Sequence, residues 1–399
     1  MAITDKEQGV WELDQVYNKI NQGSIWEYTG QNEVWGMGRN ENGQLGVNNK
    51  TAYSSPVQIP GNWLGHFSQG SGAINGAIMF VGKETAGTLW SWGQGWGGAL
   101  GHNNQTSYSS PKQVGSDATW AHVVAAGYTL GTKTDGTLWS WGYNNYGQLG
   151  QNQGPGGATW ARSSPMQIGT GTDWSTDGNK ICAGTITDSY AIKTNGTLWS
   201  WGRNESGQLG VNDQTARSSP TQVGTDTTWS KLSNGNGAIV GCIKTDGTLW
   251  TWGANSNGLL GHNEGPGDPY SSPKQVGTGT DWNAITYVPG IARAVKTDGT
   301  MWVWGNNNIG QLGLSGDKTL RSSPTQLPGT WSVEMAGSHP SSFGNIKADG
   351  TLWSWGYNEY GVLGQNDRTE YSSPRQVGTG TDWVQMCGGS NALFATIKK

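Results

Sequence analysis

Charge is scarce in this chain of 399 residues. Asp, Glu, Lys and Arg make up 13%, against about 25% in ordinary soluble domains, and the net charge is -4. No basic run occurs, so the electrostatic footprint needed for a phosphate backbone is missing and nucleic acid is not expected as a partner. Cysteine is limited to Cys182, Cys242 and Cys387. An odd count at unlike places gives neither a disulfide framework nor a zinc spacing; all three read as small buried hydrophobes. No run approaches the roughly 18–20 apolar residues of a membrane span, so no membrane insertion is expected. The opening "MAITDKEQGVWELDQ" lacks the apolar core of a secretory signal, and synthesis in a cytoplasm is expected. G-x-S-x-G, H-E-x-x-H and P-loop patterns are also missing. No catalytic residue, cofactor or metal ligand is therefore assigned, and the chain is not expected to be an enzyme.

What is abundant is glycine, 66 residues where about 7% is usual, and tryptophan, 24 residues against 4 phenylalanines. A turn-rich, aromatic-rich chain argues for an all-β fold. Both residue types recur in one phrase: "GTLWSWGYNNYGQLG" at 136–150, "GTLWSWGRNESGQLG" at 196–210, "GTMWVWGNNNIGQLG" at 299–313 and "GTLWSWGYNEYGVLG" at 350–364. The second tryptophan of W-x-W-G falls at Trp92, Trp141, Trp201, Trp252, Trp304 and Trp355, and Met37 takes that place in a seventh copy. The steps, 49 to 60 residues, match a β-propeller blade. "SSP" recurs in step seven times, and a third tryptophan follows each, from Trp63 to Trp383.

Within a copy, "GAIVGCIKTDGTLWTWG" at 237–253 reads as a strand, an Asp246-Gly247 two-residue hairpin turn with positive φ at both positions, and an alternating strand. Trp250 and Trp252 lie two apart and so share a sheet face, where they wedge against the neighbouring blade. The proline of SSP, lacking an N–H, suits an outer edge strand. The last residues, "NALFATIKK", stop where a hairpin turn is due, and the first copy, near Asn32, starts after one. Six whole units from Trp63 to Val377 and one composite N- plus C-terminal closing blade are expected, seven in all.

These residues resemble the RCC1 repeat family, on phrases such as "WGYNNYGQLG" and "WGRNESGQLG", over residues 31–399. The departures are "WGQGWGGALG" (92–101) and Met37. The resemblance implies a seven-bladed β-propeller. It does not carry over the chromatin exchange role, because no matching inserted loop or basic surface is seen. A second resemblance concerns the arm, residues 1–30. There "GVWELDQVYNKINQGSIWEY" (9–28) has helical spacing at Leu13, Val16, Tyr17 and Ile20, and its G-V-W-x-L-x-x-V-Y pattern is similar to segments of marine tailed-bacteriophage structural proteins.

The expected function is that of a non-enzymatic structural or binding protein of a bacteriophage virion. Its partners would be other virion proteins, with host attachment through a surface glycan or protein. The alternatives are a carbohydrate-binding propeller and an intracellular RCC1-type regulator or exchange factor. Contact residues are sought where the repeat rule fails, because irregular loops carry function. They are Trp11, Trp26 and Tyr28 of the arm, and Trp96 and Trp160 of the loops. Two insertions, 151–165 and 262–273, are expected to rise from one face. His102 and His262 share a repeat position held elsewhere by Val47, Gln151, Val211, Leu314 and Gln365, and read as solvated loop residues.

Overall fold

The phrase K-T-D-G-T, with Asn195 and Ala348 as its variants, reverses the chain in five copies of the repeat. In the computed structural model, Lys133 N donates to Thr137 O (3.0 Å) and Gly136 N to Lys133 O (2.9 Å). Gly136 has φ +78°, and Asp135 is not among the residues with positive φ. This is a three-residue loop with glycine alone in the left-handed region, not the two-residue turn expected. The aspartate has a different task. Its Oδ1 accepts from Thr137 N (3.0 Å) and Thr137 Oγ1 (2.7 Å), and Thr137 Oγ1 in turn accepts from Trp139 Nε1 (2.8 Å). The turn thus orients the first indole of W-x-W-G. The same relay runs from Asp246, Asp349 and Asn195 to Trp250, Trp353 and Trp199.

The structure describes residues 34–38, 40–61, 68–71, 77–83, 87–153, 161–184, 187–233, 238–288, 290–332, 342–359, 363–389 and 392–397. These contain antiparallel sheets of sequence-adjacent strands and three single-turn 3-10 segments, with no α-helix. Two compact units are distinguished: residues 1–144 with 159–172, and residues 145–158 with 173–399. The first holds a two-stranded sheet (Val34–Gly38, Tyr53–Ile59) and two four-stranded sheets. The second holds three four-stranded sheets, a three-stranded sheet, and a terminal pair, Trp383–Gly389 with Ala392–Ile397. A two-stranded sheet thus stands nearest each end of the described residues. The helical arm expected over residues 1–30 lies outside the described residues.

One repeat of the second unit illustrates the rest. Ile181–Ala183, Asp188–Ile192, Leu198–Gly202 and Arg217–Gln222 form a sheet in that order. Arg217–Gln222, which carries the SSP proline, is an edge strand, as its missing N–H demands. The register shifts between the pairs Ser200–Thr221 and Gly202–Arg217, so Pro220 falls within a bulge and interrupts no ladder bond.

Successive sheets are joined by one recurring seam. Trp252 is fully buried and its Nε1 donates to Gln208 O of the preceding repeat (2.8 Å). Trp201, Trp304 and Trp355 do the same to Gln148, Leu259 and Gln311. Within the first unit Trp92 and Trp141 bond Gln44 and Ala99. Gly210 lies flush on the indole: a Cβ there would stand 2.7 Å from Trp252 Nε1. Gly207 meets Ser271, the first serine of the next SSP, where a Cβ would stand 2.6 Å from its Cα. Asn212 N then donates to Ser271 O (2.7 Å). The glycines of G-Q-L-G therefore serve close approach as much as turning. The loop itself is held by buried Asn204, whose Nδ2 reaches Asp213 O and Thr215 O while its Oδ1 accepts from Leu209 N. A buried large side chain stabilises by about 1.5–3 kcal/mol; repeated wedges of this size hold a sheet-only fold together.

Candidate functional site

In three of the described repeats the third tryptophan packs on both members of W-x-W-G, and Trp282 and Trp331 each meet one of them. Trp229 meets Trp250 and Trp252 edge to face, at 6.1 and 5.9 Å. Into this cluster the lysine of K-T-D-G-T inserts. Lys244 Nζ lies 3.7 Å from the Trp250 ring centre and 4.7 Å from that of Trp229. Lys133, Lys193, Lys296 and Lys347 repeat the placement over their own tryptophan pairs. Lys133, Lys193, Lys244 and Lys296 also pair with Asp117, Asp173, Asp226 and Asp281. Burial would raise the Asp226 carboxyl, but hydrogen bonds from Lys244 and Thr228 outweigh it and bring its pKa down to about 2.

The consequence is a sorting of charge. The four paired lysine side chains are 10–19% exposed and their aspartates 34–47%. Cations are withdrawn beneath indoles, where they gain cation–π attraction, and carboxylates stand outward. The turn residues Asp135, Asp246, Asp298 and Asp349 add exposed carboxylates on the hairpin side. Sequence reading did not single out these lysines, although each stands six residues before a tryptophan in five copies.

Of the five contact residues expected, one is described. Trp96 opens the 3-10 turn Trp96–Gly98 and is half-buried. Its ring packs on Tyr143 of the next repeat, 5.2 Å between centres at 33°. The equivalent residues elsewhere, Glu41, Asn145, Glu205, Ser256, Asn308 and Glu359, are all exposed and polar. Trp11, Trp26, Tyr28 and Trp160 lie outside the described residues. So does most of the insertion at 151–165. The insertion at 262–273 runs into the lengthened edge strand Gly267–Gln275, and Glu264 at its start pairs with Lys274.

His102 and His262 are not solvated loop residues. Their Nε2 atoms lie 2.9 and 3.0 Å from Ser91 Oγ and Thr251 Oγ1, and each ring meets a tyrosine, Tyr108 or Tyr270, edge to face. The hydroxyls already donate to Leu100 O and Leu260 O, so the histidines must donate Nε2–H. Gln365 confirms the role: its Nε2 donates to Ser354 Oγ at the same repeat position (3.1 Å). Burial first, then Lys112 and Lys274, bring the two histidine pKa values down to about 4, against the opposing pull of Ser91, and of Glu264 and Thr251. Unfolded histidine titrates near about 6.5. The stabilisation is complete above that value and is lost as pH falls toward about 4. A variant with both His102→Gln and His262→Gln is expected to fold and to show a shallower loss of Tm between those limits. An unchanged slope would refute the assignment.

Cys182 and Cys242 are buried, as expected of small hydrophobes. Among the described residues no group of three metal-binding side chains forms, and no helix is long and apolar enough to cross a membrane.

Antiparallel four-stranded units, repeated with a tryptophan seam, define a β-propeller of the tryptophan-glycine repeat class. The family model for the regulator of chromosome condensation (RCC1) repeat matches residues 31–69, 86–131, 135–179, 195–238, 246–288, 298–339 and 349–395. The chain belongs to the RCC1 repeat family, and its fold is the seven-bladed propeller that its sequence resembles. Curated relatives include the ultraviolet-B receptor UVR8 of Arabidopsis thaliana, 30% identical over 51% of this chain and 48% of the receptor. The mitochondrial RCC1 domain-containing protein RUG3 of the same plant is 26% identical over 81% of this chain and 77% of that protein. The human E3 ubiquitin-protein ligase HERC2 is 26% identical over 52% of this chain but 4% of its own length. The chain thus spans less than half of the receptor and a small part of the ligase. Among solved structures, human WBSCR16 has a TM-score of 0.72 at 18% identity, covering 92% of this chain and all of that one. Yeast RCC1 (Prp20), solved bound to Kap60, has 0.70 at 17%, covering 92% and 89%.

These relatives overturn the expectation of a bacteriophage virion protein, and with it virion localisation, virion partners and host attachment. They are eukaryotic proteins matched over hundreds of residues, whereas the phage likeness rests on residues 9–28 of the arm alone. Twenty residues with a helical apolar pattern meet a requirement that any amphipathic segment meets.

Proposed function

We propose that this chain is an RCC1-type regulator that acts by holding protein partners on its loops, without a chemical step of its own. The observation that carries the reading is Trp96. It places a large aromatic where the other described copies expose polar residues, and the loop around it has exchanged the organising asparagine for Gly95. The fold has no need of an indole there, and aromatic side chains are the usual anchors of protein interfaces. Trp160 and the arm residues Trp11, Trp26 and Tyr28 are assigned the same role on their chemistry alone. The partner class is protein rather than nucleic acid, because the net charge is -4 and the hairpin lysines are buried under tryptophans. A yeast protein of this fold has been studied for binding to Gsp1p and histones, which supports the partner class. The ligase name of HERC2 is not carried over, since the match covers 4% of that protein.

Affinity capture from cell extract, with wild type and Trp96→Ser compared by mass spectrometry, tests the reading. A reproducible set of proteins depleted by Trp96→Ser, with circular dichroism unchanged, is expected. Equal capture by both would remove Trp96 from the interface, and no specific capture by wild type would overturn the regulator reading.

A further inference from the structure

Asp188 departs from the repeat as Trp96 does, but in the interior. It pairs with Gly202 of W-x-W-G. The equivalent partners of that glycine are Ile78, Tyr128, Ile239, Ile291 and Ser342, none of them a carboxylate. Asp188 is 2% exposed. Two residues on, Tyr190 occupies a position held elsewhere by Phe80, Leu130, Gly241, Arg293 and Gly344, so it alone offers a hydroxyl there.

That hydroxyl has two oxygen neighbours and one proton. Tyr190 Oη lies 2.6 Å from Asp188 Oδ2 and 2.9 Å from the main-chain Gln208 O. Gln208 O can only accept. If Tyr190 donates to Asp188, its oxygen faces Gln208 O with no proton between them. If it donates to Gln208 O, the short contact to Asp188 needs a proton from the carboxyl itself. Only the second arrangement places a proton in both contacts. Thr187 Oγ1 donates to the other carboxyl oxygen, Oδ1 (2.7 Å). Arg203 acts on Asp188 in favour of ionisation, but its guanidinium is paired with Glu205 and lies over Tyr146. Burial acts the other way and is the stronger, so the carboxyl titrates above its ordinary range.

We propose that Asp188 is a neutral acid at neutral pH, and that Asp188, Tyr190 and Gln208 O form a proton-dependent lock on the loop that seats Trp252. Gln208 O is also the acceptor of Trp252 Nε1, so the lock bears on the seam between two repeats. When Asp188 loses its proton, the carboxylate draws the Tyr190 hydrogen to itself. Gln208 O then loses a donor and faces a bare oxygen, and the seam loosens. A carboxyl with a raised folded pKa stabilises fully at low pH, and that stabilisation is lost as pH rises through the folded value.

Asp188→Asn supplies a permanent Nδ2–H toward Tyr190 while its Oδ1 still accepts from Thr187. Thermal melts of the full chain from about pH 4, near the unfolded carboxyl value, to about pH 9 are expected to show similar Tm values at the acid end. A gap of several degrees in favour of Asp188→Asn should open at the alkaline end. Tyr190→Phe removes a hydroxyl that favours the carboxylate, so it should move the pH dependence to higher pH rather than leave it in place. Infrared spectroscopy of the wild type at neutral pH should show a protonated-carboxyl C=O band that Asp188→Asn removes; this measurement decides the matter even where a variant fails to fold. Absence of the band, or an Asp188→Asn variant less stable by the same amount at every pH, would overturn the proposal.

Discussion

Replacing Trp252 by alanine is expected to destabilise the protein by about 3–5 kcal/mol, the range for large buried aromatics. Three losses combine. The indole is fully buried, so its removal leaves a cavity that rigid sheets on either side collapse into only partly. Trp229 loses one of its two edge-to-face partners. Gln208 O loses the donor that ties one repeat to the next. Trp96→Ala, by contrast, removes a half-buried ring from a loop and is expected to cost about 1 kcal/mol or less. Urea unfolding of both variants beside wild type reads the difference directly. Equal and small effects would show that the seam tryptophans are not wedges between repeats.

A variant ending at residue 389 is expected not to survive as a monomer. The deleted stretch contains Ala392–Ile397, which pairs along Trp383–Gly389 from Trp383–Ile397 to Gly389–Ala392. Without it, a seven-residue strand presents unpaired N–H and C=O groups, and such an edge recruits other chains. Size-exclusion chromatography should show oligomers or loss to aggregation, with a lowered Tm for any soluble fraction. Removal of residues 1–30 should leave the melt of the propeller unchanged. A monomeric 1–389 chain with a wild-type Tm would show that the terminal hairpin is dispensable and that the composite blade is wrongly drawn.

The tryptophan seam was legible because its spacing is geometric. Two residues apart in a strand means one face, and Trp250 and Trp252 do meet the same neighbour, Trp229. The proline of SSP was legible for a similar reason, since a missing N–H admits few places in a sheet. The turn was read less well. Asp246-Gly247 suggested positive φ at both residues, but Asp246 spends its carboxyl on Thr248, and only Gly247 is left-handed. The clue was the threonine after the glycine, which a two-residue turn does not use. His102 and His262 were misread because valine, leucine and glutamine alternate with them. Gln365 held the answer, since its amide can make the same bond to a hydroxyl eleven residues back. Function was the least legible level. The recurring residue types have structural tasks that account for their repetition, and a likeness confined to twenty residues of the arm carries less than seven repeats do.

The seam also has a direction, and that matters while the chain is being made. Each loop of the G-Q-L-G type is capped by a tryptophan that lies downstream, by 44 residues for Gln208 and Trp252 and by 53 for Gln148 and Trp201. At synthesis rates of roughly 5–20 residues per second, every cap arrives some seconds after the loop it covers. The growing chain therefore carries one unfinished junction at its leading end throughout translation, and each repeat completes its predecessor rather than itself. A pause in elongation just before a W-x-W-G would prolong the exposure of a single, identifiable carbonyl and the glycines beside it.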